Sequence, residues 1–126
     1  MNKLAEKISG AELEVMQTLW EAEDALPISE IRRILKERQG WEATTVKTLV
    51  SRLHAKGAIG QEKRNVFYYH PLITEQEYNE WATADLVQRL YHGSARDLVA
   101  ALVHSEELTE KDVDELRAMF HGKRKN

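Results

Sequence analysis

The sequence predicts a mainly α fold: a winged helix-turn-helix domain of three helices and a β-hairpin wing over residues 1–71, followed by a C-terminal helical dimerisation region over residues 72–126. Three observations predict it. Apolar residues recur at helical spacing in separate segments, each bounded by capping or glycine signals. A strand-forming stretch rich in aromatic residues, Ala58 to His70, interrupts those segments where a hairpin would stand. Charge is segregated, with a basic stretch around the third helix and hairpin and an acidic stretch behind it.

The first helix opens at Ser9-Gly10-Ala11-Glu12, a capping-box pattern in which Ser9 and Glu12 reciprocally satisfy free amide groups. Its apolar set is Leu13, Val15, Met16, Leu19 and Trp20, and it ends near Ala22, where Glu23-Asp24-Ala25 reads as a turn. Pro27 fits the start of a second helix because its missing amide costs nothing there. Ile28, Ile31, Ile34 and Leu35 continue at helical spacing to about Gln39, and Gly40 stops that helix. Trp41 leads into the third helix, whose stripe is Val46, Leu49, Val50 and Leu53, and Gly57 is placed to close it in a left-handed conformation. Two strands follow, Ala58 to Lys63 and Val66 to His70, separated by Arg64-Asn65 and ended by Pro71.

Thr74-Glu75-Gln76-Glu77 is a second capping box and opens a long helix through about Tyr91, with Tyr78, Trp81, Ala82, Leu86 and Leu90 on one side. His92-Gly93 breaks it. Ser94 to Asp97 caps a fifth helix carrying Leu98, Val99, Leu102 and Val103, and Thr109 to Asp112 caps a sixth carrying Val113, Leu116, Met119 and Phe120. The basic tail Gly122 to Asn126 is expected to fray. These three helices have too little partner of their own to bury their apolar stripes, so a second copy of the chain is expected to cover them. Trp20 and Trp41 read as core residues, and Trp81 as part of the dimer seam.

The net charge of −3 conceals the segregation. From Trp41 to Pro71, Lys47, Arg52, Lys56, Lys63 and Arg64 outnumber Glu42 and Glu62, a local balance of +3, whereas residues 72–126 balance to −4. Such a division holds a basic surface towards DNA and an acidic half away from it. On the third helix Thr44, Thr45, Lys47, Thr48, Ser51 and Arg52 crowd the face opposite the stripe, and Lys63, Arg64 and Asn65 form the hairpin tip. Hydroxyls allow close approach to a groove, and Arg or Lys supplies phosphate charge and donors for guanine. Threonine is a poor choice for a face that only stabilises an exposed helix, because β-branching lowers helix propensity.

Other classes find little. The absence of cysteine excludes disulfides, thiolate zinc sites and cysteine nucleophiles, and is compatible with a cytoplasmic location. MNKLAEKISG lacks the apolar run of a signal peptide, and no run of about eighteen apolar residues suggests a membrane span. No nucleophile elbow or phosphate-cradling glycine loop points to an enzyme, and no cofactor is expected. His54, His70, His92, His104 and His121 include no i, i+4 pair on one helix, so no metal site is expected. The competing reading is a winged-helix module that docks a protein and not DNA.

Three motifs in order, ISGAELEVMQTLW at Ile8 to Trp20, WEATTVKTLVSRLHAKGAI at Trp41 to Ile59 and FYYHPLITEQEY at Phe67 to Tyr78, resemble the penicillinase repressor family, the winged-helix transcription repressors of BlaI, MecI and CopY type. The resemblance implies a homodimer whose C-terminal helices intertwine and whose winged helices occupy a palindromic operator, repressing by occlusion. It assigns DNA contact to Thr44, Thr45, Lys47, Thr48 and Arg52 with Lys63, Arg64 and Asn65, and dimerisation to Tyr78, Trp81, Leu86, Leu90, Leu98, Leu102, Leu116 and Met119. Two departures concern release. The family's proteolytic Asn-Phe pair is replaced by Ala101-Leu102, and the paired cysteines of the copper-responsive branch are absent. The resemblance therefore carries over a repressor without its releasing signal.

Overall fold

The computed structural model describes residues 3–124. They form two compact units that divide between Thr83 and Ala84. The first unit begins with α1 (Lys3–Glu6), a single turn too short for any periodic signal in the sequence. Helix α2 (Gly10–Glu21) starts as the capping box requires: the Glu12 amide donates to Ser9 Oγ at 3.1 Å and the Ser9 amide donates to Glu12 Oε1 at 2.9 Å. Helix α3 (Ile28–Gln39) closes on Gly40 at φ 71°, and α4 (Ala43–Lys56) closes on Gly57 at φ 83°. Both glycines take the left-handed conformation that ends a helix, a region costly for any residue with a Cβ.

The hairpin is larger than expected by one strand. Strands β2 (Ile59–Arg64) and β3 (Val66–Pro71) pair antiparallel, with Lys63 opposite Phe67 and Gln61 opposite Tyr69. On the outer side of β3 lies β1 (Leu26–Pro27), giving the order β1-β3-β2. Pro27 therefore precedes α3 in extended conformation and does not begin it, a place open to proline because β1 is an edge strand. Asn65 turns the hairpin at φ 76°, a left-handed position that asparagine tolerates.

The core of this unit is the sum of the expected stripes. Val15, Met16 and Leu19 of α2, Ile31 and Leu35 of α3, and Val46, Leu49, Val50 and Leu53 of α4 meet Ala58 and Ile59 at the foot of the wing. Ile73 joins them, so the first unit continues past Pro71, where the sequence places the domain boundary. Trp41 packs on this core from the segment before α4.

Helix α5 (Glu75–Tyr91) opens on its capping box, the Glu77 amide donating to Thr74 Oγ1 at 3.0 Å. The second unit adds α6 (Ala95–His104) and α7 (Glu110–Arg124). His92 and Gly93 both take positive φ at the break before α6, and Ser94 and Thr109 cap α6 and α7 through Asp97 and Asp112. The tail expected to fray from Gly122 is helical to Arg124, while Lys125 and Asn126, like Met1 and Asn2 at the other end, lie outside the described residues.

Candidate nucleic-acid interface

Helix α4 turns Val46, Leu49, Val50 and Leu53 into the core, which leaves its remaining surface outward. Thr44, Thr45, Lys47, Thr48, Ser51 and Arg52 are all exposed there. They occupy two flanks. Lys47 and Ser51 join Lys63 and Asn65 of the wing around a groove of about 410 Å³, whereas Thr44, Thr45, Thr48 and Arg52 line a shallower depression of about 260 Å³.

Strand alternation then separates the wing residues. Lys63 and Phe67 stand opposite each other on the groove side, the Lys63 Nζ lying 5.8 Å from the ring centroid. Arg64 points to the other side, where its guanidinium lies 4.8 Å over Tyr68 and pairs with Glu62 at 3.1 Å. The Glu62 carboxylate holds the Arg64 guanidinium above its ordinary value by hydrogen bond and charge. Lys63 and Asn65 thus meet the flank of α4, and Arg64 does not.

The basic balance read from the sequence is also redistributed. Lys56 is committed to an internal ion pair with the buried Glu12, its Nζ donating to Glu12 Oε1 at 2.5 Å, to Glu12 Oε2 at 2.8 Å and to the Lys7 carbonyl at 2.9 Å. Arg33, Arg38, Arg64, Arg89, Arg96 and Arg117 each have a carboxylate partner. Among the arginines whose side chains the structure describes, Arg32 and Arg52 alone have none, and both stand on this surface.

Arg32 is the residue that sequence reasoning missed. It reaches the groove from α3, and its Nε is buried without a hydrogen-bond partner. A local signal existed. Arg33 has Glu30 and Glu37 one turn away on either side, whereas the positions three and four from Arg32 are Ile28, Ser29, Leu35 and Lys36. An arginine without a helical carboxylate neighbour must find any carboxylate partner on another element, as Arg38 finds Glu21 and Arg32 does not. Arg52, flanked by Thr48, Leu49, Ala55 and Lys56, obeys the same rule.

The residues expected to dimerise fall into two groups. Tyr78 and Trp81 are half-buried on the first unit, in a chain of rings from Trp20 to Tyr78 to Trp81 with 5.8 Å between successive centroids. The Trp20 Nε1 donates to the Ile73 carbonyl at 2.9 Å and fixes the start of that chain. In the second unit Leu86, Leu98, Leu102 and Val113 are half-buried, while Leu90, Leu116, Met119 and Phe120 are exposed. Among the described residues no group of three histidines or carboxylates is placed to hold a metal ion.

Compared with known proteins, residues 8–121 match the penicillinase repressor family. The chain is 32% identical over 124 residues to the methicillin resistance regulatory protein MecI of Mammaliicoccus sciuri, covering 98% of this chain and 100% of that one. It is 32% identical over 111 residues to the penicillinase repressor of Bacillus licheniformis, covering 87% and 86% respectively. Among solved structures it is similar to the DNA-binding domain of the repressor BlaI, with a TM-score of 0.54 and 37% identity over 62% of this chain and 94% of that one. It is also similar to the Bacillus licheniformis BlaI monomeric form in complex with the blaP half-operator, with a TM-score of 0.51 and 37% identity over 57% of this chain and 88% of that one.

Proposed function

The chain belongs to the penicillinase repressor family and is a DNA-binding transcriptional repressor, and we propose that two copies of it, joined through residues 72–126, occupy a palindromic promoter operator in the cytoplasm until a signal releases them. One observation carries the assignment of the surface: the two arginines that lack an intramolecular carboxylate among the described side chains, Arg32 and Arg52, stand with Lys47 and Lys63 around the outward face of α4. A paired arginine must break its own ion pair to bind a phosphate, whereas these cations need only shed water and counterions.

Within this reading, Thr44, Thr45, Thr48 and Arg52 face base edges and the adjacent backbone, while Lys47, Ser51, Lys63 and Asn65 hold the phosphates beside the wing. A half-operator, the ligand of the monomeric BlaI form, is one half-site. Twofold symmetry supplies the other half-site through a second copy. Among the described residues no helix is long and apolar enough to cross a membrane.

The test is fluorescence anisotropy of the full chain with the duplex upstream of its own gene. Combining Lys47→Ala with Arg52→Ala should raise Kd by roughly tenfold or more through loss of the base-directed Arg52, and further through loss of the phosphate-binding Lys47, with circular dichroism unchanged. The wild-type affinity should fall steeply with added salt, and each phosphate-binding lysine replaced should reduce that slope by about one. Unchanged affinity in the double variant removes these residues from the mechanism. Failure of the folded wild type to bind any promoter fragment at low salt favours a protein-docking module instead.

A further inference from the structure

We propose that the groove between α3, α4 and the wing binds a small amphipathic organic anion, a carboxylate carried on an apolar ring system, and that its occupation excludes DNA from α4. The exclusion rests on the operator-binding reading above. The binding itself does not.

The groove has two kinds of wall. Ile28, Val50, Phe67 and Tyr69 give it an apolar wall, and Arg32, Lys47 and Lys63 give it a cationic one. Among the described residues no aspartate or glutamate lines it. Its volume of about 410 Å³ lies within the range of small-molecule sites and exceeds what one phosphate would fill. A DNA phosphate satisfies the cations and leaves the apolar wall exposed, Phe67 being 42% and the neighbouring Val66 54% accessible. A neutral apolar ligand fills the wall and supplies no acceptor to Arg32, whose Nε is already buried without a partner. A carboxylate on an aromatic body meets both needs, accepting from Arg32 while its rings lie against Phe67 and Tyr69.

Competition follows from shared residues. Lys47, Ser51, Lys63 and Asn65 line the groove and also belong to the proposed phosphate contacts, so an anion held there neutralises the charge that DNA would need.

The probe is 2-naphthoate, with uncharged 2-naphthamide as its comparison, titrated into the isotope-labelled full chain and followed by amide chemical shifts. Naphthoate is expected to shift Arg32, Val50, Phe67 and Tyr69 and to bind more tightly than the amide. Arg32→Gln should weaken naphthoate about tenfold, the worth of one charge-assisted hydrogen bond, and leave the amide unchanged. Should that variant fold poorly, Lys63→Gln at the exposed wing tests the same cationic wall. Shifts confined to other parts of the chain, or equal affinity for acid and amide, overturn the proposal.

The exclusion is read separately by adding naphthoate to the protein–DNA complex. Loss of anisotropy at concentrations that fill the groove supports it, and full retention overturns it. If naphthoate fills the groove of a protein that binds no promoter DNA, the operator reading fails while the anion site stands.

Discussion

Glu12 is 1% exposed and serves two structures at once. It completes the capping box of α2, and it receives Lys56 from the last turn of α4, tying the start of one helix to the end of the other. Burial pushes its carboxyl up, yet hydrogen bonds from Lys56 and from the Ser9 amide, with the Lys56 charge, bring it below its ordinary value. A carboxyl depressed in the folded state contributes stability that is fully present above its unfolded value and is lost as pH falls through the folded one. Glu12→Gln should therefore cost about 2 kcal/mol near neutrality, because Lys56 loses its counter-charge. Its thermal-unfolding midpoint should converge on that of the wild type as pH falls from the ordinary carboxylate range through the lowered Glu12 value. Parallel curves down to strong acid would show that the pair contributes nothing through its charge. Half of this device was legible: Ser9 and Glu12 are three residues apart, whereas Glu12 and Lys56 are 44 apart and meet only through the packing of α2 on α4.

Element by element, legibility followed the range of the forces involved. Capping boxes at Ser9 and Thr74, the caps at Ser94 and Thr109, and the glycine stops at Gly40 and Gly57 are decided within four residues, and all form as read. Strand β1 was not legible, because Leu26 and Pro27 become a strand only by pairing with Tyr69 and Tyr68. The groove was hidden for the same reason, since Arg32 reaches it from one helix and Lys63 from a strand. Helix α4 offers the sharpest separation of folding from function. Thr48 is exposed and its hydroxyl donates back to the Thr44 carbonyl at 2.9 Å, an arrangement that does nothing for helix stability. Thr48→Ala should raise stability by roughly 0.5 kcal/mol through helix propensity alone. The same substitution should weaken promoter binding if Thr48 approaches a base edge. A chemical-denaturation midpoint and an anisotropy titration on one variant check both signs, and a variant that is more stable with full DNA affinity would take Thr48 out of the interface.

At the scale of the whole molecule, the two units differ in how they satisfy their apolar residues. Among the described residues the first buries a core of fourteen apolar side chains, and the second, from Ala84 on, buries none. Leu90, Leu116 and Met119 are 60%, 47% and 69% exposed, and Val99 and Val103 add to the same unit's accessible apolar surface. An apolar surface of this kind marks an interaction face. Between chains of one sequence, the simplest closed arrangement is an isologous dimer, in which each face covers its twin. Leu116→Glu with Met119→Glu would place two carboxylates in that seam, where burial without a partner is costly. Sedimentation equilibrium should then show the wild type as a dimer and the variant as a monomer, with the first unit still folded by circular dichroism. Promoter affinity should fall far more for a two-half-site duplex than for a single half-site, because the second half-site is held at high effective concentration only while the copies are joined. Equal losses on both duplexes would mean that the substitutions damaged the reading surface itself, and a variant that still sediments as a dimer would place the seam elsewhere on the chain.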